Sequence, residues 1–488
     1  MKIIQINPSD NVAVALAPVG AGEALGGVTA LCDIPQGHKI ALADIACGEN
    51  VIKYGFPIGK AKCGIKAGEH VHTHNVETSL SEHIEYRYEP AYRDLPKAEE
   101  AYFEGYLRPD GSAGVRNDIW IIPTVGCVNS VAEKLAKDNA HLASGSVDGI
   151  YAYTHPYGCS QLGDDHANTR RVLAALAKHP NAGGVLILSL GCENLTLPQF
   201  KAELGTWNDD RVKFLVCQEC GDELEEGARL LKELAAYAGS FKRQRISADK
   251  LIIGLKCGGS DGLSGITANP AAGVFSDLLI SRGGTTILTE VPEMFGAETI
   301  LMNRCRTREL FDKTVRMING YKDYFTRHGQ TVYENPSPGN KEGGITTLED
   351  KSLGCVQKGG SAPVDGVLDY AQRVESRGLN LMYGPGNDMV STTNLAAAGA
   401  QIVIFTTGRG TPFGCPIPTI KVSTNNALYA RKSNWIDFNA GAAAEGEALE
   451  NVGKLLFDKV LSVASGEETV SEQMGYRGIA IFKNGITL

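Results

Sequence analysis

Three histidines stand at alternate positions in Gly68–Asn75, GEHVHTHN: His70, His72 and His74. On an extended strand alternate side chains share a face, so this spacing predicts three imidazoles projecting together. Neutral imidazole is a common metal ligand and titrates near neutral pH, which suits a metal site or acid–base work. A polar strand facing solvent is the plain alternative. That three of the chain's ten histidines fall within five residues favours chemistry.

A second set follows in THPYGCSQLGDDH, which supplies His155, Cys159, Asp164, Asp165 and His166. It comes directly after the strand-like DGIYAYT, where α/β domains place ligands at the carboxyl end of the sheet. Cys127 (PTVGCVN) and Cys192 with Glu193 (LSLGCEN) end neighbouring strand candidates, and Cys257 (GLKCGGSDG) repeats the arrangement further on. Thiolates suit iron or zinc better than magnesium or calcium, although a small residue in a tight turn explains a lone cysteine equally well. The CQEC pair at Cys217 and Cys220 lacks the second half that a structural zinc site needs. Glycine-rich blocks (CGGSDGLSGITANP, NPSPGNKEGGITTLEDKSLG, YGPGND, TTGRGTPFG) can bring backbone N–H groups to an anion. Ser260 and Asn340 add donors there, and Lys341, Lys351 and Arg409 are the cations suited to a carboxylate. Glu290, Glu293, Glu349 and Asp350 add carboxylates in the same region, each a base or ligand or only a cap and salt-bridge partner. No block matches a phosphate loop or a dinucleotide fingerprint.

These residues need elements to position them. Short apolar runs broken by Gly, Pro and Asp over the first ~80 residues read as a small all-β module. A polar, Tyr-rich stretch (EYRYEPAYRDLPKAEEAYFEGY) reads as a linker crossing another domain. DIWIIPTV, DGIYAYTH, AGGVLILSLG and RVKFLVCQ then alternate with amphipathic stretches, as a covered parallel sheet requires. A second such series begins at DKLIIGLKCGG and continues through GGTTILTEV, GLNLMYGPG, AQIVIFTTGRG and PTIKVS. The expected division is residues 1–82, a linker over 83–104, a middle α/β domain over 105–246 and a C-terminal α/β domain over 247–488.

The chain of 488 residues carries a net charge of -9, so a basic surface for nucleic acid is not expected. No run approaches the ~20 apolar residues of a membrane span, and the start lacks a secretory signal. A cytoplasmic location is expected, with the twelve cysteines outside any disulfide framework.

The blocks NVAVALA, PQGHKIALADI and AGEHVHTHN resemble an SAF domain, the antifreeze-like β-clip. GVRNDIWIIPTVGCVN, THPYGCSQLGDDH, LTEVPEMFGAE, YENPSPGNKEGGITTLEDKSLG, TTGRGTP and the closing AIFKNGITL extend the resemblance over the whole chain, to the altronate and galactarate dehydratase family. HVHTHN, GCSQLGDDH and VPEMFGAE bring it nearer the altronate members. Galactarate dehydratase, sulfolactate sulfo-lyase (a relative split over two chains) and a non-enzymatic carbohydrate-binding protein are the alternatives. The resemblance implies a hydro-lyase of hexuronate catabolism that removes water from an aldonate with ferrous iron. Manganese is a substitute, and an iron–sulfur cluster stays open. It implies a small sugar acid as partner, neither nucleic acid nor membrane, and leaves a homo-oligomer open. On this reading His72 and His74 hold the metal, with His155, Cys159 and Cys192 as the competing cluster. His38, Lys39, His72 and His155 handle protons. Lys341, Arg409, Asn340 and Ser260 hold substrate.

Overall fold

The computed structural model describes residues 2–80 and 85–485. The division expected at 82–83 and the last three residues of the closing block lie outside the described residues. The first eighty residues form a β-rich module. Ile3–Ile4, Val12–Ala15, Lys39–Ala41 and His70–Val71 make one antiparallel sheet in that order. Asn50–Lys53, Phe56–Ala61 and Val76–Glu77 make another, and Val51, Ile58 and Val71 are fully buried between the strands' neighbours.

The strand expected to carry all three histidines stops at Val71. Asn75 ends it: its Oδ1 accepts from the His72 N–H at 2.9 Å and its own N–H donates to His72 O at 3.0 Å. His72–Asn75 is therefore a turn, and strand alternation is not what groups these rings.

Residues 85–101 run without regular structure along the C-terminal domain, tied by Tyr86 to Glu298 (2.6 Å) and by Tyr88 to Cys305 O (2.7 Å). Tyr102–Leu107 then pairs antiparallel with Gln244–Ser247, so the chain enters and leaves the middle domain through adjacent strands. The divisions expected at 104–105 and 246–247 fall inside these two strands.

The middle domain has four parallel strands in the order Ile150–Ala152, Asp118–Pro123, Ala182–Ser189, Val212–Val216. Ala182–Ser189 is buried along its whole length, as a strand covered on both faces must be. The helix Glu223–Ala238 shows how local sequence sets the cover. Asp222 caps it by accepting from the N–H groups of Leu224 and Glu225, acidic residues fill the first turn, and Leu230, Leu231 and Leu234 face the sheet.

The C-terminal domain has seven parallel strands. Their order is Val364–Leu368, Gly378–Met382, Thr285–Leu288, Ile252–Cys257, Ile402–Thr407, Thr419–Ser423, Phe438–Asn439. The two edge strands escaped the sequence reading because neither is a continuous apolar run. No helix among the described residues is long and apolar enough to cross a membrane.

Candidate active site

The chain builds the C-terminal sheet outward from Ile252–Cys257, first to one side and later, from Ile402–Thr407, to the other. Between those two strands the sheet reverses its direction of growth, the place where open α/β sheets bind their ligands. Gly408 and Arg409 donate backbone N–H bonds to Gly259 O at 2.8 and 3.1 Å, which stitches the two loops together. The β-module docks onto this place. Gly37 sits against Gly262 and Gly344 so closely that a Cβ on either would fall on the Gly37 carbonyl.

Beneath the contact lies a buried triad. Thr347 caps the helix Leu348–Cys355, placing Asp350 in its first turn. Lys39 Nζ lies 2.8 Å from one Asp350 oxygen and Lys53 Nζ 3.0 Å from the other, with all three side chains essentially inaccessible. Lys39 also donates to Gly344 O at 2.8 Å. Burial lowers the Lys39 pKa to about 8 against the pull of Asp350, and the neighbouring Lys53 charge adds to the lowering. Despite burial, the two ammonium groups hold Asp350 well below the usual carboxylate range. Two lysines on one carboxylate leave a net positive charge under the interface.

Above the triad the module presents its histidines. His38 adjoins Lys39–Ala41, and Ile40 pairs with His70 across the sheet, so the fourth ring comes from the neighbouring strand. Ring centroids are 5.0 Å apart for His38–His70, 4.9 Å for His38–His72 and 5.3 Å for His70–His74. Burial pushes the His70 pKa down to about 4, aided by the charges of His38 and His74. It pushes His72 to about 3, aided by Lys39. Burial thus favours the neutral form of His70 and His72, the form that ligates metals or accepts protons. Their tautomers follow from the bonding. A carbonyl only accepts, so His38 Nε2 donates to Glu342 O at 3.1 Å and His38 Nδ1 must accept. The 2.9 Å contact from His70 Nε2 supplies that donor, leaving the His70 Nδ1 lone pair without a partner among the described residues. His72 Nδ1 lies 3.2 Å from Thr346 Oγ1.

The four residues expected to hold substrate divide two and two. Arg409 is half-exposed at the rim and pairs with exposed Glu342 at 2.8 Å. Lys341 is exposed nearby, with no ion pair among the described residues. Asn340 and Ser260 are buried instead. The Asn340 amide donates to Ser260 O at 2.9 Å and its oxygen accepts from Lys351 at 3.2 Å, so it clips the loops together. Ser260 Oγ is 2.5 Å from Cys257 Sγ. Lys351, expected as a free cation, is committed to Glu293 at 2.9 Å.

Below this floor, Cys257, Glu293 and Cys355 bring three metal-type ligand atoms within 4.8 Å of one another. The chemistry of the pocket argues against a divalent ion there. Lys256 pairs with Glu290 and Asp388, Lys351 pairs with Glu293, and Lys358 is also buried beside them, so no net negative charge remains. Glu290 is held in the left-handed region at φ 73°, with its carboxylate accepting from the Cys257 N–H at 2.7 Å. A non-glycine residue there costs energy and is retained only where its surroundings fix it.

The middle domain keeps its own set apart on a different sheet. His155 Nε2 donates to Pro123 O at 2.8 Å and Nδ1 accepts from Tyr157 N at 3.2 Å. Both nitrogens are engaged and burial pulls the pKa down to about 4. The expected proton-transfer and metal roles for His155 therefore give way to a structural one. Cys127, Cys159 and Cys192 are exposed and follow three adjacent parallel strands. Their loops are interlocked: Gly126 N donates to Tyr157 O at 2.9 Å, Leu195 N to Gly158 O at 3.0 Å and Ser160 N to Asn194 Oδ1 at 2.7 Å.

Sequence alone leaves Lys53 unmarked and Asp350 open between base, ligand, cap and salt-bridge partner, and the structure makes it a salt-bridge partner. A signal was present: in NVIK, Lys53 keeps phase with the core residue Val51, a buried position where a lysine needs a partner.

Family models match the chain from end to end. Residues 1–79 match the altronate/galactarate dehydratase SAF domain, 105–239 the D-galactarate dehydratase/altronate hydrolase second domain, and 248–487 the D-galactarate/altronate dehydratase C-terminal region. The chain is 51% identical to altronate dehydratase of Escherichia coli (strain K12) and 52% identical to altronate dehydratase of Bacillus subtilis (strain 168), each over 100% of both chains. Identity to galactarate dehydratase (L-threo-forming) of Escherichia coli is 34%, over 98% of this chain and 96% of that one. An SAF module docked at the switch point of a parallel-sheet domain, with family matches spanning all three parts, makes this chain a member of the altronate/galactarate dehydratase family.

Proposed function

We propose that the protein is a hydro-lyase acting on altronate, with its active site at the interface of the SAF module and the C-terminal domain. The observation that carries the substrate is full-length identity of 51% and 52% to two altronate dehydratases, against 34% to a galactarate dehydratase.

Dehydration removes the proton at C2 and the hydroxyl at C3, and the resulting enol becomes a 2-dehydro-3-deoxy acid. The C2 proton lies beside a carboxylate that is already anionic, so abstraction needs positive charge in place. Arg409 and Lys341 at the rim would supply it, Arg409 exchanging Glu342 for the substrate carboxylate. His70, whose Nδ1 has no partner among the described residues and which has His38 bonded behind it, would take the proton. Lys39, fully buried against Asp350 and Gly344, fixes the histidine face rather than touching substrate.

His72 and His74 would hold ferrous iron, or manganese in its place, because neutral imidazole suits such ions. When bound, the ion would supply a Lewis acid for the substrate's oxygens. The three exposed thiols of the middle domain are the rival iron site, as a single ion or an iron–sulfur cluster.

Anaerobic iron analysis with a substrate panel tests this reading. We expect release of 2-dehydro-3-deoxy acid from altronate but not galactarate, abolished by chelator and restored by ferrous salt. His72→Ala should lose iron and at least a hundredfold in kcat with an unchanged circular dichroism spectrum. Iron kept in that variant and lost in Cys159→Ser, with a visible absorption band, would move the metal to the thiol edge.

A further inference from the structure

The amino ends of the middle-domain strands, opposite the thiol edge, meet the C-terminal domain. His179 Nε2 contacts Ala400 O at 2.9 Å and Asn181 donates to Gln401 O at 2.9 Å. Beside this junction lies a cavity of about 520 Å³ that shares no lining residue with the site above. Arg108, Lys178, Arg211 and Arg373 line it, and Asp110 is the one carboxylate on its wall. Four cations against one anion make this wall strongly positive, with Glu203 of the neighbouring cavity acting on Lys178 from the side.

Hydrogen bonding does not account for that charge. Arg211 donates to Ala177 O, His179 O and Ala182 O, and Arg108 to Pro180 O, Arg116 O and the Asn117 amide, all neutral acceptors. Among the described residues Arg373 makes a single hydrogen bond, at 3.3 Å to Lys178 O. The Lys178 ammonium has no acceptor among the described residues. An adjoining cavity of about 350 Å³ shares Lys178 and Arg373 with this one, and of its two acids Glu203 is already paired with Arg170 at 2.8 Å. Burial and the neighbouring Arg211 charge push Arg108 down to about 10 in spite of Asp110.

We propose that this cavity binds a phosphate monoester, a dianion gripped by Lys178 and Arg373 between the two domains. Guanidinium and ammonium donors together suit a tetrahedral dianion. The volume falls within the range of small-molecule sites, and Trp207 and Tyr237 supply flat apolar walls for the organic part of the ester. A sugar phosphate and a nucleoside monophosphate share this chemistry.

Calorimetric titration of the full chain with glucose 6-phosphate, AMP, inorganic phosphate, adenosine and glucose decides the matter. We expect saturable binding of at least one ester, weakened by salt, with neither neutral compound binding. Tighter binding of AMP would identify the nucleotide class and of glucose 6-phosphate the sugar class. Arg211→Gln endangers the fold, so Lys178→Gln and Arg373→Gln serve as variants. Each should weaken the ester at least tenfold while leaving metal-dependent turnover in phosphate-free buffer unchanged. No saturable binding of either ester to wild type, inorganic phosphate binding as tightly as the esters, or equal affinity in both variants would overturn the proposal.

Discussion

At the scale of single residues, burial decides which histidines could do chemistry, and burial is what a sequence conceals. His155 stands in a glycine-rich loop after a strand, beside two aspartates, and has every outward mark of a catalytic group. Its two nitrogens are spent on Pro123 O and Tyr157 N. His179 is the same case without the marks: Nε2 donates to Ala400 O, Nδ1 accepts from Asn181 N at 3.1 Å, and burial lowers its pKa from 6.5 to about 3. In the unfolded chain this imidazole takes a proton below about 6.5, whereas in the fold it stays neutral to about 3. The unfolded state therefore binds more protons throughout that window, and stability must fall as the pH falls through it. One such group contributes up to about 1.4 kcal/mol per pH unit. Urea unfolding between pH 7.5 and 4.5 should show His179→Gln less stable than wild type at neutral pH, by about 1–3 kcal/mol for its lost bonds. Its decline on acidification should be shallower. Parallel declines in the two proteins would mean that His179 is protonated in the fold as well.

Among the elements, strands were the most legible part of the chain. DIWIIPTV, AGGVLILSLG and AQIVIFTTGRG are apolar runs of strand length between glycines, and each became a buried parallel strand. HVHTHN misled because alternation alone cannot distinguish a strand from a strand running into a turn, and Asn75, four residues after Val71, turns the chain in a way only its hydrogen bonds reveal. The docking of module on domain was hidden for a different reason. It depends on glycines far apart in sequence, Gly37 and Gly262, whose close approach leaves no room for a methyl group. Gly262→Ala places that methyl on a backbone carbonyl that cannot rotate away, so the two surfaces must separate. We expect a loss of about 1–3 kcal/mol in stability, as for other overpacked contacts. Turnover should fall much further, because the histidines leave the site. Hydrogen exchange should show faster exchange at Lys39–Ala41 and over 343–351, with the strands of the middle domain unchanged. Wild-type exchange at Lys39–Ala41 would mean that the contact adjusts without opening.

For the whole molecule, one carboxylate joins the first domain to the last. Lys39 and Lys53 belong to the module and Asp350 to the C-terminal domain, so the charge balance of the buried triad exists only when the two are together. Asp350 also accepts from the Thr346 N–H at 3.0 Å, which sets the loop that meets His72. Asp350→Asn keeps the shape and removes the anion, leaving two ammonium groups side by side out of water. Breaking a buried pair in this way costs about 3–5 kcal/mol, whereas replacing a whole ionic group by apolar residues is close to neutral. Guanidinium unfolding should therefore place Asp350→Asn well below wild type. The triple variant Lys39→Met, Lys53→Met, Asp350→Leu should recover most of that loss. Turnover separates the two roles of the triad. If its positive charge serves only docking, the triple variant regains activity along with stability. If that charge also supports the carboxylate of the sugar acid from beneath, the triple variant is stable with a depressed kcat. We expect the first outcome, because the Lys39 ammonium is fully enclosed by Asp350 and Gly344 and reaches no surface a substrate could touch.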